Sequence, residues 1–521
     1  MIMEEKRVKY AIGDQDFRSL REGGCLYVDK TPYIDMIKKS GTKYYFQARP
    51  RRFGKSLFLS TLRYFFEGRR ELFKGLYIDS VDWDWEAYPV LHLDLNSDRY
   101  DETGRLDDVL NTLFKGWESE YGVSEIAETY SQRFKTIIKS AHERTGKPVV
   151  ILVDEYDKPL VGNLRRSDLF EHYRAQLASL YSNFKSSAEH IRLVFMTGIS
   201  RFSKLSVFSD LNNLNDITFD DTYADICGIT ETELLECFQP GIHSLAEEME
   251  VSYEEACREL KLNYDGYLFA KRGSDIYNPW CVLCAMAKKD IRTYWISTGS
   301  TSVVAEALQG ADVDIEGTLN ADWDIDDLAG LDLLNADPTA LLYQAGYLTI
   351  GHYDSRSNMV RLKVPNEEVR KGLFKHLLPL YLKPKGSTAK SVIDGITRSV
   401  GRGKPDDMLK SLRAYFAGIP YDLKMDNENN FHNAFYILVT LIGLDAEAEA
   451  HTSDGRIDLL IETPDYVYVI ELKYDASAEE ALRQIEDKEY ALRFEADGRK
   501  VFKIGVSFSS ETRRIEEWKI Q

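Results

Sequence analysis

Tyr44-Tyr45-Phe46-Gln47-Ala48-Arg49-Pro50-Arg51-Arg52-Phe53-Gly54-Lys55-Ser56-Leu57-Phe58-Leu59-Ser60-Thr61-Leu62 is the stretch whose reading decides the fold. The apolar run at 44–46 reads as a strand and Leu57–Leu62 as a helix. Between them lies a basic loop ending in Gly-Lys-Ser. Strand, tight loop and helix in that order are the context of a phosphate-binding loop. The backbone N–H groups over Arg52, Phe53, Gly54, Lys55, Ser56 and Leu57, together with the helix N-terminus, would face the phosphates. Lys55 would reach the terminal phosphates, and the Ser56 hydroxyl would ligate Mg²⁺. The usual pattern opens with Gly, whereas Arg49 holds that place here. The loop is therefore expected to take its own shape, with Pro50 fixing one turn. In isolation an ordinary basic turn would read the same way; the rest of the chain argues for the phosphate loop.

Downstream, Pro148-Val149-Val150-Ile151-Leu152-Val153-Asp154-Glu155-Tyr156-Asp157 reads as a strand buried on both faces, with acids at its C-terminal end. Ligands of open α/β sheets bind at that end. Asp154 is expected to hold Mg²⁺, directly or through water, and Glu155 to polarise the attacking water. Two acids that merely end a strand are the alternative. It is the weaker one about 100 residues after a phosphate loop, a spacing that leaves room for one more strand. Pro89–Leu95 alternates as that strand would. Helices are expected around 104–121, 124–142 and 167–187. Ile191–Gly198 reads as a strand that places Thr197 to sense the γ-phosphate or orient water. Arg201 beyond it could supply charge to the transition state. A capping Thr and a solvated Arg are the plainer alternative. Asp216–Phe219 could be a fifth strand. Upstream of the loop, Leu26–Thr31 reads as a short strand and a helix start. Its Tyr27, Asp29 and Lys30 could approach a nucleotide or simply pack.

A chain of 521 residues calls for two to four domains. Hydrophobic content of 44% and charged content of 29% are those of a soluble globular protein. No run of eighteen apolar residues marks a membrane span, so no membrane partner is expected. The N-terminus turns polar at once, without an apolar signal core. Six scattered cysteines suit a reducing cytosol, and a cytoplasmic location is expected. The lone Cys281-x-x-Cys284 lies in an apolar helical stretch and reads as a buried face rather than a zinc or redox site. The net charge of −19 argues against general polyanion binding, so any nucleic-acid role must rest on a local site.

From 222 the character changes to helices, at Glu231–Phe238, Tyr253–Lys261 and Asn278–Lys288. Strands near Tyr347–Tyr353 and Met359–Val364 flank a hairpin loop at Asp354–Asn358. This suggests a helical lid and a winged-helix-like module. Lys383-Pro384-Lys385-Gly386-Ser387 is the best linker. The expected domains are thus 1–221, 222–382 and 388–521. The tail reads as a helix (Phe431–Leu444), a strand from Gly455 to Glu462, a turn at Thr463–Tyr466 and a return strand from Val467 to Lys473. A helix from Ala478 to Phe494 and a last strand, Val501–Phe508, follow. If Pro464 and Asp465 form a two-residue loop, Asp458 lies opposite Glu471. Cross-strand neighbours have Cβ atoms about 5 Å apart, and like charges there repel. A bound cation would remove the penalty. Glu471 and Lys473 share a face. Two carboxylates and a lysine at one spot can hold Mg²⁺, position a water and stabilise charge on a phosphodiester. A solvated hairpin with alternating charges would give the same string.

Several stretches together resemble a family of bacterial proteins that join an AAA-ATPase-like domain to a C-terminal PD-(D/E)XK nuclease domain. They are Tyr27–Thr31, Arg49–Leu57, Val153–Asp157, Thr197-Gly198, Tyr264-Asp265-Gly266-Tyr267, Tyr277-Asn278-Pro279, Gly455-Arg456-Ile457-Asp458, Ile470-Glu471-Leu472-Lys473 and Ala481–Ile485. The likeness spans nearly the whole chain, and Arg-Pro-Arg-Arg-Phe-Gly-Lys-Ser looks like that family's own phosphate loop. The resemblance implies an α/β fold: an AAA+-like parallel P-loop sheet with the acids on its third strand, and a small mixed sheet flanked by helices in the tail. It implies ATP and Mg²⁺ as cofactors, with Mn²⁺ an alternative at the nuclease site, and Gln484 and Glu428 as supports of that site. Nucleotide and nucleic acid, DNA ahead of RNA, are the implied partners, and an oligomer is allowed for. An ATP-controlled Mg²⁺ nuclease, placed by analogy in defence against foreign DNA, is the leading expectation. Its rivals are a signalling ATPase switch whose tail binds without cutting, and a nuclease with structural nucleotide.

Overall fold

The computed structural model describes residues 8–124, 127–164, 166–201, 214–298, 315–329, 338–373, 395–417, 445–452, 455–494, 498–512 and 514–521. The expected helix Phe431–Leu444, Glu428 and the linker Lys383–Ser387 lie outside these residues. The chain divides into two compact units, Met1–Ala307 with Ala321–Val369, and Leu308–Asn320 with Arg370–Gln521.

The first unit is built on a parallel sheet of β1 (Tyr44–Ala48), β2 (Val90–Asp94), β3 (Val149–Asp154), β4 (Ile191–Gly198) and the two-residue β5 (Asn215–Asp216). Their order is β2-β3-β4-β1-β5, so β1 sits between β4 and β5 and the phosphate loop leaves the sheet near the end of β4. The unbroken apolar run Val149–Val153 becomes β3 because both sheet faces are covered. On one face Tyr44, Phe46, Ile151, Val153 and Met196 pack on the helices Arg105–Tyr121, Tyr130–Thr145 and Ser167–Ser186. On the other, Phe58 of the helix Lys55–Phe66 meets Phe195 at 5.6 Å between ring centroids. Each large apolar side chain so buried contributes about 1.5–3 kcal/mol. The helix Tyr130–Thr145 starts later than the pattern at 124–142 suggests because Thr129 and Gln132 form a capping box there.

Leu26–Thr31 is not a strand. Among the described residues a lone bridge joins Cys25, just before it, to Lys9, and the helix Pro32–Ser40 follows as expected. The helices Glu231–Cys237, Gln239–Met249, Tyr253–Tyr264 and Pro279–Lys288 belong to the same compact unit as the sheet. So does an antiparallel sheet of β6 (Asp322–Asp324), β7 (Thr349–Asp354) and β8 (Met359–Lys363). Cys281 and Cys284 are buried on the helix Pro279–Lys288, as a buried face requires, and all six cysteines are free. No helix among the described residues is long and apolar enough to cross a membrane.

The second unit carries β9 (Asp445–Thr452), β10 (Gly455–Glu462), β11 (Tyr466–Tyr474), β12 (Lys500–Ser509) and β13 (Arg514–Ile520), in the order β13-β12-β11-β10-β9. β11 and β12 run parallel and the other neighbours antiparallel. The crossover between β11 and β12 is the helix Ala478–Asp487, capped by Ser477 and Glu480. It stops at Asp487, short of the expected Phe494, where only a 3₁₀ turn, Leu492–Phe494, forms. β12 is not the last strand, because β13 pairs beyond it. A helix absent from the sequence reading, Pro405–Ala417, packs on β13.

Candidate functional site

The phosphate loop turns through two left-handed residues, Arg52 (φ 72°) and Gly54 (φ 95°). Gly54 caps the helix, so Lys55 and Ser56 open its first turn with Leu57 next. Left-handed backbone is natural for Gly and uncommon for Arg. Arg52 is steadied by its guanidinium lying 4.0 Å from the centroid of the Trp280 ring. Phe53 is buried between Tyr267 and Phe269, at 4.8 and 5.2 Å between centroids. Arg49 answers the question of the missing first Gly. Its buried guanidinium donates to the carbonyls of Ala48 (2.9 Å), Thr218 (2.8 Å), Tyr223 (3.4 Å) and Ala224 (3.3 Å), and lies over Phe269. It staples the end of β1 to the segment after β5. Lys55 Nζ donates to the carbonyls of Arg49 (2.9 Å) and Pro50 (3.0 Å), so two of its three donors tie down the loop.

Beside the loop, Asp154 ends β3 with Oδ1 accepting from Thr197 Oγ1 at 2.6 Å and from Glu155 N–H at 3.1 Å. Thr197 is wholly buried in β4, where its hydroxyl orients the acid. Glu155 adopts a left-handed φ of 48°, and its carboxylate lies 3.9 Å from Lys158 Nζ. Asp157 is committed elsewhere. Its Oδ2 accepts from the backbone N–H groups of Ile199 (3.0 Å) and Ser200 (2.7 Å) and from the Ser200 hydroxyl (2.5 Å). Burial raises its pKa. Arg201 pairs with Asp216 at 2.5 Å rather than standing open as an isolated charge. Against the same loop lies an apolar cleft of about 660 Å³ counted to its open mouth, lined by Tyr27, Val28, Gly54, Leu57, Ile229 and Leu283 among others. Lys30 lines it too, but its ammonium is held by Glu233 (2.6 and 2.8 Å) and the Asp225 carbonyl (2.7 Å).

In the tail, β10 and β11 pair Leu459 with Ile470 and Glu462 with Val467. Thr463 N–H donates to the Tyr466 carbonyl at 2.9 Å, so Pro464 and Asp465 form the two-residue turn. One step beyond Leu459, that register sets Asp458 opposite Glu471. The ladder has opened there, and Asp458 Oδ2 instead accepts from Leu472 N–H at 2.8 Å. Glu471 is fully buried. Its Oε1 accepts from Lys473 Nζ at 3.2 Å and from Gln484 Nε2, while Oε2 is buried with no hydrogen-bond partner among the described residues. Burial first, and the nearby Asp458 second, raise its pKa. Gly505 of β12 lies across from Glu471. A Cβ there would come within 2.2 Å of the Ala478 carbonyl. Only Gly lets the crossover helix lie close enough to bring Gln484 onto Glu471.

The sequence model of a predicted AAA-ATPase family matches residues 11–208, and that of the PD-(D/E)XK nuclease superfamily matches 426–518. A protein of Azotobacter chroococcum mcd 1, described as an uncharacterized protein in the vnfD 5' region, is 35% identical over 524 residues, covering 98% of each chain. The chain belongs to this AAA-ATPase-like family with a PD-(D/E)XK tail.

Within this AAA-ATPase-like protein, Lys55, Ser56, Asp154, Glu155 and Thr197 lie at the loop and at the C-terminal ends of adjacent strands. Asp458 of β10 and Glu471 and Lys473 of β11 come together with Gln484 of the crossover helix in the PD-(D/E)XK unit. No group of three or more His, Cys, Asp or Glu side chains able to hold a metal occurs among the described residues. Sequence reasoning missed Arg49 as a staple, Asp157 as the anchor of the turn after β4, and Gly505. Arg49 reaches the Thr218 carbonyl 169 residues away and Asp157 the Ile199 N–H 42 residues away, and no local pattern signals such contacts.

Proposed function

We propose that the chain binds and hydrolyses ATP in its first unit and cleaves phosphodiester bonds with a divalent metal in its second, with DNA as the substrate class. The observation that carries the nuclease reading is Glu471. It is a buried carboxylate with one oxygen gripped by Lys473 and Gln484 and the other without a hydrogen-bond partner among the described residues, beside a second acid. A buried carboxylate left so is costly unless a cation completes it. The donor set is all hard oxygen, which suits Mg²⁺ or Mn²⁺. Asp458 and Glu471 would hold the ion, which when bound would polarise the phosphate and lower the pKa of a water. Lys473 supplies positive charge beside Glu471 for the charge that grows on the phosphodiester. Gln484 fixes the Glu471 carboxylate so that it does not swing.

In the first unit, Lys55 and the N–H groups around Gly54 suit the phosphates, Ser56 and Asp154 suit Mg²⁺, and the apolar cleft suits the base. Glu155 is the acid that accepts a proton from the attacking water, because Asp157 is taken up by the Ser200 turn. Thr197 holds Asp154, and Arg201 must leave Asp216 before it can act on a phosphate. Nucleotide binding is proposed to gate the tail, as a ligand with unequal affinity for two states would. The test is a panel of DNA and RNA substrates with Mg²⁺ or Mn²⁺, with and without ATP. Metal-dependent cleavage lost in Glu471→Gln supports the reading. No cleavage of any substrate under any of these conditions would refute it.

A further inference from the structure

The outer wall of the phosphate loop is made by parts of the chain far from it in sequence. Pro50 abuts Gly346, where φ is 86° and a Cβ would lie 2.7 Å from the proline ring. The Arg51 carbonyl accepts a hydrogen bond from the Trp295 indole N–H at 3.2 Å. The Arg52 guanidinium lies over Trp280. The strand, loop and helix motif accounts for none of these contacts.

One carboxyl group ties the two tryptophans together. Glu368 Oε1 accepts from the Trp295 backbone N–H at 2.5 Å, and Oε2 accepts from the thiol of Cys281, the neighbour of Trp280, at 3.0 Å. Glu368 is 2% exposed, and Trp295 and Cys281 are 1% exposed each. The start of the helix that carries Glu368 is anchored in its own right. Asn366 Nδ2 donates to the Asp265 carbonyl at 2.7 Å, and its Oδ1 accepts from Val369 N–H at 3.1 Å. Gly266 permits the close approach, because a Cβ there would meet the Pro365 carbonyl at 1.9 Å. An apolar side chain would fill this space without the desolvation of a carboxyl. What an apolar side chain could not do is fix the 280–281 and 295 segments to one point by directed bonds.

We propose that Glu368 is a positioning residue for the phosphate loop. It fixes Trp295 directly and Trp280 through Cys281, and these hold the Arg51 carbonyl and the Arg52 guanidinium so that the loop keeps its phosphate-binding shape. This rests on the reading of the loop as a nucleotide site. Glu368→Gln keeps an oxygen for the Trp295 N–H, Glu368→Ala removes both bonds, and Trp295→Phe keeps the ring but loses the indole donor. The experiment is the Kd for MgATP of the full chain and each variant, at a temperature where circular dichroism shows all of them folded. Trp295→Phe is expected to bind about three- to tenfold more weakly, Glu368→Ala about tenfold or more weakly, and Glu368→Gln within about twofold of the parent. A merely structural role would shift melting and leave these affinities alone. Parent-like affinity in Trp295→Phe and Glu368→Ala, or a loss in Glu368→Gln equal to that in Glu368→Ala, would overturn the positioning role. If Glu368→Ala does not fold, Trp295→Phe decides on the same criterion. A parent that binds no MgATP would remove the nucleotide site itself and the positioning role with it.

Discussion

Glu471 is the residue at which stability and activity pull apart. Its burial and the neighbouring Asp458 oppose the charged form that a metal site needs. Glu471→Gln keeps an oxygen for Lys473 and Gln484 and removes the charge. Asp458→Asn keeps an oxygen for Leu472 N–H. Both variants are expected to melt about 2–4 °C higher than the parent without metal, to lose stabilisation by Mg²⁺ or Mn²⁺, and to lose cleavage. Lys473→Ala should behave differently, keeping metal-dependent stabilisation while cleavage falls. Thermal melts with and without metal beside a cleavage assay separate the three. Metal stabilising the parent and the Glu471 variant equally would place the ion elsewhere. In the first unit, Lys55→Ala should weaken ATP binding about ten- to a hundredfold, because it loses a charged contact to phosphate and also loosens the loop carbonyls it holds. Glu155→Gln should bind ATP as the parent does and hydrolyse it poorly, which a titration and a phosphate-release assay read separately. Parent-like turnover would move the proton acceptor away from Glu155.

At the scale of elements, the loop wall makes a prediction about pH. Burial lifts the Glu368 carboxyl from its ordinary 4.5 to about 7. The titratable side chains acting on it, Cys281, Cys284, Tyr264 and Tyr267, are themselves pushed up and stay neutral. Between pH 4.5 and 7 the folded chain holds a proton that the unfolded chain has lost. Stability from this group is therefore fully present below that window and falls as pH rises through it, by up to about 1.4 kcal/mol per unit. Glu368→Gln should flatten that fall in denaturant unfolding of the first unit between pH 5 and 7.5. An unchanged slope would assign the proton to another group. The elements also show what a sequence can and cannot say. The β10–β11 register was legible because a Pro-Asp turn of two residues sets the pairs outward from it as far as Leu459 and Ile470. β3 was legible because five apolar residues in a row need cover on both faces. β13 was not, since Arg514-Ile515-Glu516-Glu517-Trp518 is a half-exposed edge strand without an apolar alternation. The helix Pro405–Ala417 was legible in principle, because its buried Met408, Leu409, Leu412 and Phe416 recur at helical spacing. Leu26–Thr31 carries β-prone residues but joins no strand of the sheet. Glu368 meets the Trp295 N–H across 73 residues and the Cys281 thiol across 87, which no periodicity encodes.

On the scale of the whole molecule, one chain joins an AAA-ATPase-like domain to a PD-(D/E)XK nuclease-superfamily domain. Joining them matters only if nucleotide state changes cleavage. The account therefore predicts that a substitution confined to the phosphate loop reaches the second unit: Lys55→Ala should cut poorly in the presence of ATP while its tail still gains metal-dependent stability. The most direct measurement is cleavage of linear and circular DNA by the full chain in Mg²⁺, with and without ATP, run beside Glu471→Gln and Lys55→Ala. The account predicts cleavage by the parent that ATP enhances, none by Glu471→Gln, and no ATP response in Lys55→Ala. Cleavage by Glu471→Gln equal to the parent's, or none by the parent on DNA or RNA with any divalent metal, would contradict it.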